Sequence, residues 1–254
     1  MSELIIKNLS AGYGERSVLR GVNGAARGGE IIGLLGPNGS GKTTLMKTLL
    51  GLHKPSSGEV TLGAKSVHAM AAKVRAKSLA YLAQTRAAPW PMTARNIVAL
   101  GRAPHQNIFG GFGRINPADA RAIDAAIDAC GAGDLAGRDI TTLSGGEQAR
   151  IFLARALAVG ADVLLADEPV AALDPFYQLT IMEVLRAKAK AGGLVITALH
   201  DLSLASHYCD RVWVLDGGRL VADGPPEQAL TDAVLSGVFN ISRPLGGFIP
   251  PRIA

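Results

Sequence analysis

Gly36-Pro37-Asn38-Gly39-Ser40-Gly41-Lys42-Thr43-Thr44 sets a lysine and two threonine hydroxyls behind a run of spaced glycines, the pattern G-x-x-x-x-G-K-[ST] of a phosphate-binding loop. Glycine at 36, 39 and 41 lets the backbone approach a phosphate closely and turn its amides inward. Lys42 is spaced to reach the β and γ phosphates of a nucleotide, and the Thr43 hydroxyl to hold Mg²⁺. A second centre is Leu143-Ser144-Gly145-Gly146-Glu147. Ser144 and Glu147 have capping-box spacing, which satisfies orphan amides at a helix start. Capping does not ask for two consecutive glycines, which weaken a helix; a bare pair fits the close approach of another chain's phosphate. The third centre is Val163-Leu164-Leu165-Ala166-Asp167-Glu168, an apolar run ending in two carboxylates. Beside a magnesium nucleotide, Asp167 would hold the metal and Glu168 would polarise the attacking water. Without the phosphate loop the same pair would read as a helix cap or a solvated turn.

These groups need elements to place them. Glu30 to Leu35 reads as a short buried strand running into the loop, and Leu45 to Gly51 as the helix leaving it. That helix start adds its partial positive charge at the phosphate position. Leu4 to Leu9 is predicted as a strand, Ala11 to Arg16 as a turn, and Val18-Leu19 as a second strand. Tyr13 in that turn has two readings: a ring that stacks on a purine, or hairpin filler. Val60-Thr61-Leu62 and Ser78 to Gln84 are further strand-like runs. From Thr85 the texture turns to Pro, Gly and Ala, so a mainly helical insert is expected to about Gly160. Within it, Asn116-Pro117 reads as a helix start and Gly131 as its stop, with Ile123, Ile127 and Cys130 on one face. Residues 106–114 read as loop. Asp174-Pro175 should start a helix to about Ala191, and Leu194 to Leu199 a buried strand ending at His200. At the carboxyl edge of a parallel sheet, His200 becomes a candidate γ-phosphate contact rather than a structural histidine. Val212 to Val221 reads as a hairpin.

The composition bounds the class. With 254 residues, 48% hydrophobic and 19% charged, the chain can build a substantial core. No uncharged apolar run approaches the roughly 18 residues of a bilayer span, and the start at Met1-Ser2-Glu3-Leu4 suggests no signal peptide. Cys130 and Cys209 stand far apart, against a disulfide framework or metal site. The net charge of +5 comes from scattered Lys and Arg without an interleaved aromatic stripe, so no nucleic-acid partner is expected.

The three centres in this order resemble the ATP-binding subunit of an ABC transporter, over about residues 2–240. The resemblance implies an α/β fold of the P-loop NTPase ABC type: a mixed sheet core, an N-terminal antiparallel β subdomain and an inserted α-helical subdomain. It implies one cassette over 1–240, with core at about 1–84 and 161–240, insert at about 85–160, and a tail at 241–254. Carried over by position, Tyr13 matches the base-stacking loop, Gly36 to Thr44 the Walker A loop, and Gln84 the Q-loop that touches Mg²⁺. Ser144, Gly145, Gly146 and Glu147 match the signature motif, Asp167 the Walker B aspartate, Glu168 the catalytic glutamate and His200 the switch histidine. Asp174 matches the D-loop. Ala83, Glu147 and Ala171 stand where many members carry Pro, Gln and Ser.

In this family two cassettes face head to tail, so each ATP lies between the Walker A loop of one and the signature motif of the other. The implied function is ATP hydrolysis that energises a membrane importer, from the cytoplasmic face of the inner membrane. Its partners would be a second copy, integral permease subunits and, indirectly, a periplasmic or extracellular substrate-binding protein. Pro91 to His105 is similar to the stretch found in importer ATPases for haem, ferric siderophores and cobalamin, and His200 to Ala205 and Val238 to Ile241 agree. An export cassette is the alternative within transport. A soluble ABC ATPase of translation or DNA repair would bring paired cassettes, a coiled coil or zinc-binding cysteines, none of which this sequence has.

Overall fold

The computed structural model describes residues 3–84, 91–106 and 115–241. The predicted loop beyond Gln106 and the tail from Ser242 lie outside these residues. Two sheets carry the molecule. The first is antiparallel and built from β1 (Glu3–Tyr13), β2 (Arg16–Arg27), β4 (Ser57–Leu62) and β5 (Lys65–Ser66) in the order β2-β1-β4-β5. The turn expected from Ala11 starts later, because Gly12 pairs with Ser17 and Tyr13 with Arg16. Only Gly14 and Glu15 are left to turn the chain, which carries Tyr13 out to the tip of a two-strand ribbon.

The second sheet holds β3 (Ile31–Leu35), β6 (Leu79–Leu82), β7 (Val163–Asp167), β8 (Leu194–Ala198), β9 (Arg211–Asp216) and β10 (Arg219–Gly224). Its order is β10-β9-β3-β8-β7-β6, parallel throughout except for the β9–β10 hairpin. β3, β7 and β8 are buried at every position, as strands covered on both faces must be, and this is why they read as unbroken apolar runs. Successive residues still point to opposite sides. Ile32 and Leu34 join Leu4, Ile6 and Leu9 of the antiparallel sheet and Leu45, Met46 and Leu49 of α1 (Lys42–Leu49) in one core. Ile31 and Leu35 face the other core, among the helices.

That helical layer contains α2 (Ala72–Ser78), α3 (Ala94–Ala99), α4 (Pro117–Ala129), α5 (Gly145–Ala158), α6 (Pro175–Lys190), α7 (Leu202–Tyr208), α8 (Pro226–Ala229) and α9 (Asp232–Phe239). Between β6 and β7 the described residues hold α3 to α5 and no strand of either sheet. α4 begins as expected, with the Asn116 side chain accepting from the Asp119 amide and Pro117 in the first turn. Ile123, Ile127 and Cys130 are all buried, and the chain leaves through Gly131 at a positive φ. α2, α3 and α7 to α9 are short, and no apolar period of useful length marks them in the sequence.

The stretch Gly101 to His105 closes the C-terminal end of α5. Arg102 donates through Nη1 to the carbonyls of Ala158 and Val159, and His105 Nε2 donates to Val159. Arg102 Nε also meets the buried Asp119 carboxylate at 2.8 Å. Cationic and N–H donors at a helix C-terminus satisfy its orphan carbonyls. Gly101 lies so close to the Arg155 carbonyl that a Cβ there would collide with it.

Candidate functional site

The loop after β3 delivers the phosphate cradle. Gly36 passes against the Leu215 carbonyl, where a Cβ would clash, and Gly39 sits at φ +80° with open space beside it. Both requirements suit glycine alone. No side chain caps the start of α1 and its first turn carries no acid, so its leading amides are unclaimed by the helix. An anion completes such an end. Lys42 is buried and donates from Nζ to the carbonyls of Gly36 at 2.6 Å and Pro37 at 3.1 Å. Burial lowers its pKa, opposed by the nearby Glu168 and Asp167 carboxylates. The ammonium is thus already folded into the cradle, held by the loop's own carbonyls. Ser40 is buried with its hydroxyl unpartnered among the described residues.

At the end of β7, Asp167 is 1% exposed and takes a hydrogen bond from the Tyr81 hydroxyl at 3.2 Å, with Thr43 near enough to help stabilise its charged form. Its Oδ1 is left without a partner among the described residues. Burial raises its pKa, a cost that a cation at Oδ1 would remove. Nothing in the sequence marks Tyr81; burial and Asp167 push its phenol upward. Thr43 and Asp167, the two groups expected to hold Mg²⁺, lie close enough to influence each other, and their oxygen donors fit that ion.

Glu168 is the meeting point of the site. It adopts φ 50°, a strained choice for a non-glycine residue, and turns its carboxylate between two donors. Gln84 Nε2 reaches its Oε2 at 2.7 Å, and His200 Nε2 its Oε1 at 2.6 Å. Residues from three strand ends thus converge at the carboxyl edge of the parallel sheet. Donation from Gln84 leaves its carbonyl oxygen for a cation.

A cleft of about 460 Å³ joins these parts, lined by Tyr13, Arg16, Val18, Asn38, Gly39, Gly41, Lys42, Thr43, Thr44, Gln84 and Glu168. Tyr13 is 51% exposed and lines it, so it is not core. Pro37 contributes its carbonyl to Lys42 rather than a surface to the cleft. Arg16 and Val18 are additions from the tip of β2 that no sequence signal marks.

Ser144 to Glu147 do not line that cleft. They open α5 at the expected capping box: the Ser144 hydroxyl accepts from the Glu147 amide, and Glu147 Oε2 accepts from the Ser144 amide at 2.7 Å. The helix starts at Gly145, so both glycines are inside it. They are also unlike each other. A Cβ on Gly145 would meet open space, whereas one on Gly146 would run into the Tyr177 ring. Gly146 is therefore required by packing within the chain, which corrects the reading of both glycines as bare, and Gly145 alone has open space beside it. Tyr177 itself sits beneath Arg150 and follows Asp174, whose side chain caps the α6 start at the Tyr177 amide.

Comparison with known proteins agrees with this geometry. A family profile described as ABC transporter matches residues 19–171. The hemin import ATP-binding protein HmuV of Pseudomonas entomophila (strain L48) is 40% identical over 243 residues, covering 94% of this chain and 92% of its own. The iron(3+)-hydroxamate import ATP-binding protein FhuC of Bacillus subtilis (strain 168) is 37% identical over 242 residues, with 95% and 89% covered. Among solved structures, an inward-facing metal-chelate type ABC transporter superposes with a TM-score of 0.83 at 27% identity, covering 95% of this chain and 90% of that one. Loop, carboxylate strand, capped glycine helix and these likenesses coincide: the chain belongs to the ABC transporter family, as one of its ATP-binding cassettes.

Proposed function

We propose that this chain is the ATP-hydrolysing subunit of a membrane importer for a metal chelate such as haem, a ferric siderophore or cobalamin. The observation that carries the chemistry is Glu168, held by Gln84 and His200 at the inner end of the cleft that the phosphate loop opens. The import functions of the hemin and iron-hydroxamate relatives supply the importer half of the reading.

Tyr13 stacks on the adenine, and the loop amides of Gly36 to Thr44 take the phosphates. Lys42 exchanges its two loop carbonyls for phosphate oxygens, a short movement because its ammonium is already in place. Thr43, Asp167 and the Gln84 carbonyl would hold Mg²⁺, which neutralises charge on the β and γ phosphates when bound. Glu168 takes the proton of the attacking water while His200 keeps the carboxylate aimed. Ser144 and the exposed Gly145 stand outside this cleft and are assigned to a nucleotide on a second copy, so that two chains close over two ATP molecules. Loss of the bridging phosphate reopens the pair and moves the insert at 85–160 against the permease on the cytoplasmic side. A substrate-binding protein outside the membrane delivers the chelate.

The test is Glu168→Gln. Phosphate release should fall by about 10²–10⁴-fold, while ATP drives the purified variant from monomer to dimer in light scattering. Retained turnover would remove Glu168 from its role, and a variant that binds ATP yet stays monomeric would remove the two-chain site. Reconstitution with the neighbouring permease separates import from export by the side on which chelate accumulates.

A further inference from the structure

Tyr13 lines the cleft, and one face of its ring is occupied by a residue that does not line it. The His53 ring lies against it with centroids 4.5 Å apart and planes tilted by 34°. His53 does not line the cleft, so it forms the back wall of the tyrosine. Each polar group of His53 named here is engaged from a different side. Its Nε2 donates to the Gly12 carbonyl at 2.9 Å, one residue before Tyr13. Its amide donates to the Lys47 carbonyl in the last turn of α1. Its carbonyl accepts from His68 Nε2 at 3.1 Å. The helix that starts at the phosphates therefore ends on the residue that backs the tyrosine.

We propose that His53 is a positioning residue for nucleotide recognition. It fixes the Tyr13 ring at a set distance from the phosphate cradle, so that the open face is ready for a purine base. The inference rests on Tyr13 being the base platform. A ring held from behind loses less conformational freedom on stacking than one free to rotate at a ribbon tip, and that saving appears as affinity. The effect must be confined to ligands that carry a base, because His53 touches neither the loop amides nor Lys42.

The experiment measures equilibrium binding of ATP and of inorganic tripolyphosphate by calorimetry, with the full chain carrying Glu168→Gln to prevent turnover. Adding His53→Ala should weaken ATP about threefold to tenfold, the range expected for one aromatic pair, and leave tripolyphosphate unchanged. His53→Phe, which keeps the ring, should recover part of the loss, as should His53→Gln, which keeps an N–H donor. Tyr13→Ala is the reference. If it weakens ATP while His53→Ala does not, His53 has no positioning role. Equal weakening of ATP and tripolyphosphate by His53→Ala would also overturn the inference, since a general loosening of the loop would do that. If Tyr13→Ala binds ATP normally, the platform reading itself fails. Should His53→Ala unfold early in a thermal scan, the Phe and Gln variants carry the comparison alone.

Discussion

Two helix starts in this chain solve the same electrostatic problem in opposite ways. α1 and α5 each begin with amides that the helix cannot satisfy. At α1 no side chain caps the end, the neighbouring Ser40 and Lys42 are buried, and the loop wraps around the vacant donors. At α5 the end faces outward and Ser144 and Glu147 close part of it with a capping box. The box engages the amides of Ser144 and Glu147 and leaves the exposed Gly145 outside it, while Gly146 is buried. One end thus needs an anion to be complete, whereas the other is stable by itself and can accept an anion presented from outside. That difference is what the proposed two-chain site would require: a cassette that is stable alone and completed by a second copy.

The sharpest way to break this comparison is Gly145→Ala. A methyl group there meets nothing within 4 Å among the described residues, and alanine favours a helix, so the thermal midpoint should hold or rise slightly. Phosphate release should nevertheless fall about tenfold or more, equivalent to about 1.4 kcal/mol of lost transition-state contact, because the only atoms in the way belong to another molecule. Unchanged turnover would mean that nothing approaches α5 from outside. Gly146→Ala gives the opposite signature. Its methyl collides with Tyr177 inside the chain, so the nucleotide-free protein should lose about 1–3 kcal/mol in denaturant titration. Combining it with Tyr177→Ala should return part of that loss, as contacting sites do. The smallest effect lies at the far end of α5. Burial and the nearby Arg102 and Lys77 charges hold the His105 imidazole below its usual 6.5, against the pull of its hydrogen bond to Val159. The unfolded chain therefore takes up a proton before the folded one does. Stability from His105 is present above pH 6.5 and is lost as pH falls through the lower folded value. Unfolding scans from neutral pH downward should show a small decline in stability, absent in His105→Gln.

What was legible in the sequence follows from how local each device is. The phosphate loop, the Ser144/Glu147 box and the Asn116-Pro117 start are written within a few residues of themselves, and all are present. The buried parallel strands were legible because burial on both faces leaves runs with no polar interruption. The four-stranded antiparallel sheet was legible in part, and β1 runs past its expected end because the partner strand reaches Arg16. Contacts between distant segments were not legible. His53 lies 41 residues from the Gly12 carbonyl that it holds, and Gln84 lies 84 residues from Glu168. Tyr177 gives no local hint that it faces Gly146, so the glycine pair reads as uniform although its two members answer to different neighbours.

α5 is a rod of 14 residues, about 21 Å long. Ser144 stands at one tip, and Arg102 and His105 grip the other. A stiff strut fastened in this manner cannot absorb a push at its head by bending. Whatever displaces the serine tip must swing the Gly101–His105 turn with it, and Asp119 ties that turn to the first turn of α4. If the proposed two-chain site closes on Ser144, this fastening would carry the displacement to α4, with the Arg102 clamp as the coupling pin.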